Sequence, residues 1–271
     1  MKGFFLLKTT KKTIINNQQS IINKAMLQIE DITYGYTSGR NVLEHLTLNY
    51  SEPGIYGLLG RNGSGKSTLL YLIMGLLHPK GGRIMMDGKD TKERHPETLS
   101  QMFIVPEEYD LPRVKLGDYI RTIRPFYPDF DSELMVKLLD MFELTNINGA
   151  TLDKDGIPSI HLGALSMGQK KKVYMCIALA ARTKLLIMDE PTNGLDIPSK
   201  SQFRKVIAQG TREDQTIIIS THQVRDVEMM LDHVTIIDGN RVLMNAPINM
   251  EEPVNLEELF IQAITRAEME R

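Results

Sequence analysis

The 271-residue chain contains no tryptophan and a single cysteine, Cys176. One cysteine excludes an intrachain disulfide framework and fits a reducing compartment. It lies within Val173–Ala181, where a buried core thiol is the expected role. These nine residues are the longest uninterrupted apolar run. A membrane-spanning helix needs about 20 apolar residues, so this chain is not expected to cross a bilayer itself.

An excess of one charge is missing too. Lys plus Arg number 32 and Asp plus Glu 34, a net charge of −2. Nucleic-acid-binding domains usually carry a basic excess, so no nucleic-acid partner is expected. The six histidines show no paired metal-ligand spacing. The opening MKGFFLL is too short for a secretory apolar region, and the polar KTTKKTIINNQQS follows it. Residues 1–25 therefore read as a polar, poorly ordered extension, with Met26 as an alternative start.

What remains is ordinary for a globular protein, 42% apolar and 24% charged, and long enough to bury a core. MLQIEDITYGY and GRNVLEHLTLNY read as two early strands of an antiparallel layer. GIYGLLG reads as a buried strand, and GKSTLLYLIMGLL as a helix ending near His78-Pro79. GGRIMMDGKD is a strand closed by an Asp-Gly turn, and MFIVP another short strand. Residues 112–164 change to helical periodicity, as a helical insertion in an α/β domain would. After them come a helix (LSMGQKKKVYMCIALAARTK), a buried strand (LLIMDEP) and further strands (TIIIST, HVTIID) with helices between. RVLMNA pairs with HVTIID across Gly239-Asn240 in this reading. NLEELFIQAITRAEME is a terminal amphipathic helix.

The stretch GRNGSGKS, residues 60–67, fits G-x-x-x-x-G-K-[ST] between an apolar strand and a helix. Glycines let backbone N–H groups close around an anion, and the helix N-terminus adds partial positive charge. Gly60, Arg61, Asn62, Gly63, Ser64, Gly65, Lys66, Ser67 and Thr68 are thus the phosphate-binding candidates. Lys66 would reach the terminal phosphates and Ser67 would hold Mg²⁺. LLIMDE ends a strand on two acids. Asp189 suits the metal and Glu190 suits a base acting on water. Ser166 and Gln169 form an S-x-x-Q capping box that opens a helix. Lys170, Lys171 and Lys172, taken one by one, read as a solvated face. His222 follows a strand, where an ordinary polar residue is the plain alternative.

Together these residues resemble the ATP-binding cassette (ABC) ATPases. LSMGQ (165–169) is similar to the family's LSGGQ signature, with Met167 at the first glycine. PTNGLD (191–196) looks like its D-loop and STH (220–222) like its switch histidine. The order and spacing match from about Met26 to Ala246. The resemblance implies an α/β P-loop NTPase core with a mainly parallel sheet, an N-terminal antiparallel β layer and a helical subdomain at about 112–182. Residues 26–246 would form the ATPase domain and 247–271 a C-terminal amphipathic helix. It implies ATP and Mg²⁺ as cofactors, and His222 on the terminal phosphate beside Glu190. Tyr36 would stack on adenine, with Tyr34 as a rival. Ser166, Gly168 and Gln169 would meet ATP held by the opposite subunit.

The implied protein is the ATP-hydrolysing subunit of an ABC transporter, of exporter type by its compact size. Its implied partners are a separate transmembrane permease subunit and a second ABC subunit, forming a homodimer. The implied place is cytoplasmic, on the inner face of the membrane. A soluble ABC ATPase in iron–sulfur assembly and a non-hydrolysing regulatory module share most of these motifs. One position departs from the family. Where it carries glutamine after the strand preceding the helical region, FIVPEEYDLP places Glu107. That carboxylate would either tighten metal binding or slow closure.

Overall fold

A computed structural model describes residues 25–238, 241–248 and 255–269. The expectations for residues 1–24 and for the Gly239-Asn240 turn lie outside these residues. Four strands form an antiparallel sheet, β1 (Leu27–Tyr34), β2 (Leu43–Tyr50), β4 (Gly81–Met86) and β5 (Lys89–Asp90), in the order β2-β1-β4-β5. The Asp-Gly turn between β4 and β5 has φ 47° at Asp87 and 77° at Gly88. Two successive positive φ values match the twist of a two-residue hairpin.

The second sheet holds β3 (Gly54–Leu59), β6 (Met102–Val105), β7 (Leu185–Asp189), β8 (Thr216–Thr221), β9 (His233–Asp238) and β10 (Arg241–Pro247). Its order is β10-β9-β3-β8-β7-β6. All neighbours are parallel except β10, which pairs antiparallel with β9, with Arg241 opposite Asp238. Parallel strands covered on both faces must be apolar on both, which is why LLIM and TIII lack alternation. Leu185, Ile187 and Ile218 join a core with Leu27, Leu69 and Ile73 beneath the antiparallel sheet. Leu186, Met188, Ile217 and Ile219 face the other way, into a core with Leu138, Cys176 and Phe203.

The helices are α1 (Lys66–Ile73), α2 (Pro96–Leu99), α3 (Leu116–Ile123), α4 (Ser132–Met141), α5 (Met167–Ala180), α6 (Ile197–Gly210) and α7 (Leu256–Met269). The apolar run around Cys176 lies in α5 as far as Ala180 and is buried apart from the half-buried Tyr174. Burial pushes the Cys176 thiol up, as a core thiol requires. Among the described residues no helix is long and apolar enough to cross a membrane.

Two elements differ from the sequence reading. Helix α1 stops at Ile73 rather than near His78-Pro79. Gly75 takes φ 63°, and the amides of Leu76 and Leu77 both turn back to the Tyr71 carbonyl at 2.9 and 3.2 Å. A glycine C-terminal to a helix ends it in this way. Between β8 and β9 stand two 3₁₀ turns, Val224–Asp226 and Glu228–Met230, and no α-helix. Val227 joins them at φ −122°, outside the helical region, so the winding cannot continue.

For the site, register matters most. Asp189 stands opposite Ser220, and Leu59 opposite Thr221. The loops leaving β3, β7 and β8 therefore open side by side at the C-terminal edge of the sheet, where ligands of open α/β sheets bind.

Candidate active site

The loop after β3 depends on two of its glycines. Gly65, which starts α1, has φ 98°, and a Cβ there would lie 2.8 Å from Leu43 Cδ2. A Cβ on Gly60 would lie 2.6 Å from the Ile237 carbonyl oxygen. The chain can thus curl tightly with its backbone amides unobstructed. Lys66 is buried and folds back under the loop. Its Nζ donates to the carbonyls of Gly60 (2.8 Å) and Arg61 (3.3 Å), and lies 3.6 Å from Glu190 Oε1.

At the end of β7, Asp189 and Glu190 are both buried. Ser220 Oγ on neighbouring β8 donates to Asp189 Oδ1. The Glu190 amide donates to Ser220, to its Oγ and its carbonyl, both at 3.1 Å. Burial pushes the Asp189 carboxyl up, the Ser220 and Ser67 hydroxyls oppose this, and the Glu107 and Glu190 charges add to it. Glu190 has φ 45°, a left-handed backbone that costs a side-chain-bearing residue energy and is common at functional sites. His222 Nδ1 lies 2.8 Å from Glu190 Oε1 and donates to it. That bond leaves Nε2 for a second partner.

Tyr36, Asn62, Gly63, Gly65, Lys66, Ser67, Thr68, Glu107, Glu190 and His222 line one cavity of about 580 Å³. Gly60, Ser64 and Asp189 do not line it, and Ser64 and Asp189 are buried. Arg61 points to α7, with its guanidinium 2.7 Å from Glu268. Tyr36 is exposed at the rim with its hydroxyl 3.1 Å from Thr68 Oγ1. Tyr34 packs edge-on against it at 5.2 Å and does not line the cavity. Ser166, Gly168 and Gln169 lie elsewhere, at the start of α5. The capping box forms there, with the Gln169 amide donating to Ser166 Oγ (3.2 Å) and the Ser166 amide to Gln169 Oε1 (3.0 Å).

Three contributors escaped the sequence reading: Ser220 as a tie between the acids, Asn193 and Lys171. Asn193 lines the cavity and donates from Nδ2 to Glu107 Oε1 at 2.8 Å. Lys171 does not lie on a solvated face. It is buried, donating to the carbonyls of Glu190 (3.1 Å) and Asn193 (2.9 Å). The signal was helical spacing, because Lys171 shares a face with Met175 and Ala178 in the buried stretch. Lys172 donates to Gln202 Oε1 at 2.9 Å, and Lys170 lies 3.9 Å from exposed Asp110.

The donor set fits Mg²⁺. Asp189 Oδ2 is buried with no hydrogen-bond partner. Among the described residues no three His, Cys, Asp or Glu side chains converge as a metal cage. Mg²⁺ at phosphate sites uses one or two carboxylates together with phosphate oxygens, which is what this edge offers.

A glycine-rich loop between a parallel strand and a helix, with a buried aspartate at the end of a nearby strand, defines a P-loop nucleoside triphosphatase. Residues 43–193 match the ABC transporter family model, which is more than half of the chain. The chain belongs to the ABC transporter family, as an ATP-binding, ATP-hydrolysing subunit. It is 29% identical over 235 residues to the lantibiotic transport ATP-binding protein SrtF of Streptococcus pyogenes, covering 87% of this chain and 96% of SrtF. It is 29% identical over 245 residues to the bacitracin transport ATP-binding protein BcrA of Bacillus licheniformis, covering 88% of this chain and 74% of BcrA. A solved ATP-binding subunit of an ABC transporter superposes with a TM-score of 0.75 at 24% identity, covering 88% of this chain and 99% of that one.

Proposed function

We propose that the cavity under the glycine-rich loop binds ATP with Mg²⁺, and that Glu190 is the base that turns water against the terminal phosphate. The observation carrying this reading is the Lys66–Glu190–His222 cluster at one end of that cavity. Glu190 is held by its amide to Ser220 and by its carboxylate to His222, so its remaining lone pairs are aimed rather than free. A triphosphate entering the loop competes with the Gly60 and Arg61 carbonyls for Lys66, and its charge wins. That move separates Lys66 from Glu190 and leaves the carboxylate to accept a proton from water. His222 stays hydrogen-bonded to Glu190 and faces the terminal phosphate. Ser67 and Asp189, with Glu107 nearby, would hold Mg²⁺, which neutralises phosphate charge when bound. Tyr36 at the rim offers a face for adenine.

The exposed start of α5 would complete the site of a second copy of this chain, so that two nucleotides lie between two subunits. The helical segment and the Glu107 loop would dock a separate permease. A hollow of about 490 Å³ lined by Ile120, Arg121, Phe130 and Met135 supports that placement. Likeness to proteins named for lantibiotic and bacitracin transport supports an exporter, working on the inner face of the membrane.

Lys66→Ala tests the reading. Loss of a charge-assisted contact to two phosphates is expected to weaken ATP binding about 100-fold or more. Unchanged affinity in a fluorescent-nucleotide titration overturns the assignment of the loop.

A further inference from the structure

Lys171 sits early in α5, yet its ammonium is buried among backbone oxygens. Its two acceptors, the carbonyls of Glu190 and Asn193, are the two ends of one turn. The Asn193 amide closes that turn onto the Glu190 carbonyl at 3.1 Å. The turn begins at Glu190, whose φ of 45° must be held by its surroundings. Asn193 in turn donates to Glu107 Oε1. One chain of contacts thus runs from α5 through the turn after β7 to the loop after β6.

A buried ammonium is costly unless an opposite charge answers it, and a carboxylate beside phosphates needs the same. Burial pushes the Lys171 ammonium below the ordinary lysine range, and the carboxylates of Glu107, Glu190 and Asp189 draw it back up, Glu107 most. We infer that Lys171 is a positioning residue, which locks the Glu190–Asn193 turn by holding both of its carbonyls. A shorter, neutral amide at position 171 reaches at most one of the two carbonyls, so the turn loosens. The kinetic consequence rests on Glu190 as the base, whereas the locking of the turn does not.

The test uses the purified full chain at saturating Mg²⁺, with Lys171→Gln and Lys171→Arg, and Glu190→Gln as control. Lys171→Gln is expected to lower kcat about tenfold while ATP KM stays within about twofold, because the turn and not the phosphate contact is disturbed. Lys171→Arg is expected to keep most of the rate. A wild-type kcat in Lys171→Gln, or an equal loss in Lys171→Arg, overturns the positioning role.

Hydrogen exchange of the nucleotide-free chain reads the turn without catalysis. The Asn193 and Leu195 amides are expected to exchange about tenfold faster in Lys171→Gln, with amides in β7 and β8 unchanged. Unaltered exchange at Asn193 and Leu195, or equal acceleration throughout the core, overturns the lock. If Glu190→Gln hydrolyses ATP at the wild-type rate, the base assignment fails, while the exchange result still decides the lock.

Discussion

At the C-terminal edge of the parallel sheet, Lys66 and Glu190 answer each other's charge, His222 bonds to Glu190, and the loop after β3 is closed by its own carbonyls. At the start of α5, Ser166 and Gln169 satisfy each other and nothing further. Met167 there is 65% exposed, and a Cβ on Gly168 would meet no atom within 4 Å. The first region is assembled by strand register, with side chains from three loops converging. The second is a well-capped helix end presenting its first turn outward. The difference teaches where a single chain suffices. In the proposed reading its own fold holds and polarises a nucleotide, whereas the capped end would serve a phosphate only on another molecule.

The comparison breaks first at Glu190. Glu190→Gln keeps the shape and removes the proton acceptor, so kcat is expected to fall about 10²–10⁴-fold with ATP still bound. A rate within a few-fold of wild type, in a phosphate-release assay, moves the base elsewhere. Glu107 sharpens the electrostatics of the assembled region. Glu107→Gln is expected to weaken apparent Mg²⁺ affinity about tenfold while ATP binding changes less, as loss of one charge-assisted contact would. Superimposable magnesium titrations would confine Glu107 to its bond with Asn193. The smallest effect belongs to the outward region. Ser166→Ala removes one cap and is expected to cost about 1 kcal/mol of stability in urea unfolding. ATP affinity of the single chain should stay within about twofold, because Ser166 lies outside its own cavity. A large loss of affinity would mean that the two regions meet within one chain.

Much of this was legible in the sequence because the chemistry is local. Gly60 to Ser67 lie on one continuous loop, and Asp189 and Glu190 are adjacent at the end of an apolar run. Ser166 and Gln169 are three apart, which is the capping distance itself. Ser220, Asn193 and Lys171 were not legible as a group. Their contacts span 31, 86 and 22 positions of chain and depend on β7–β8 register and on how α5 lies against the turn after β7. Three consecutive lysines look equivalent in sequence, yet the helix turns one of them inward and leaves the next to pair with Gln202. Two misjudged elements have similar causes. Gly75 ended α1 early by adopting a left-handed backbone, and Val227 split a helical pattern into two 3₁₀ turns.

The central claim is that a complete site takes the assembled region of one chain and the outward region of another. Mixing two inactive variants tests it directly. Lys66→Ala lacks the phosphate lysine but keeps the α5 end. Gly168→Asp keeps the cavity, and its new side chain points into open space in its own chain, where it would repel a neighbour's phosphates. Each alone is expected to be inactive beside an active wild-type control. Mixed one to one, half of the dimers would contain one intact site of two, restoring about a quarter of the wild-type rate per chain. A mixture as inactive as its components, or a Gly168→Asp chain as active as wild type, would contradict the account.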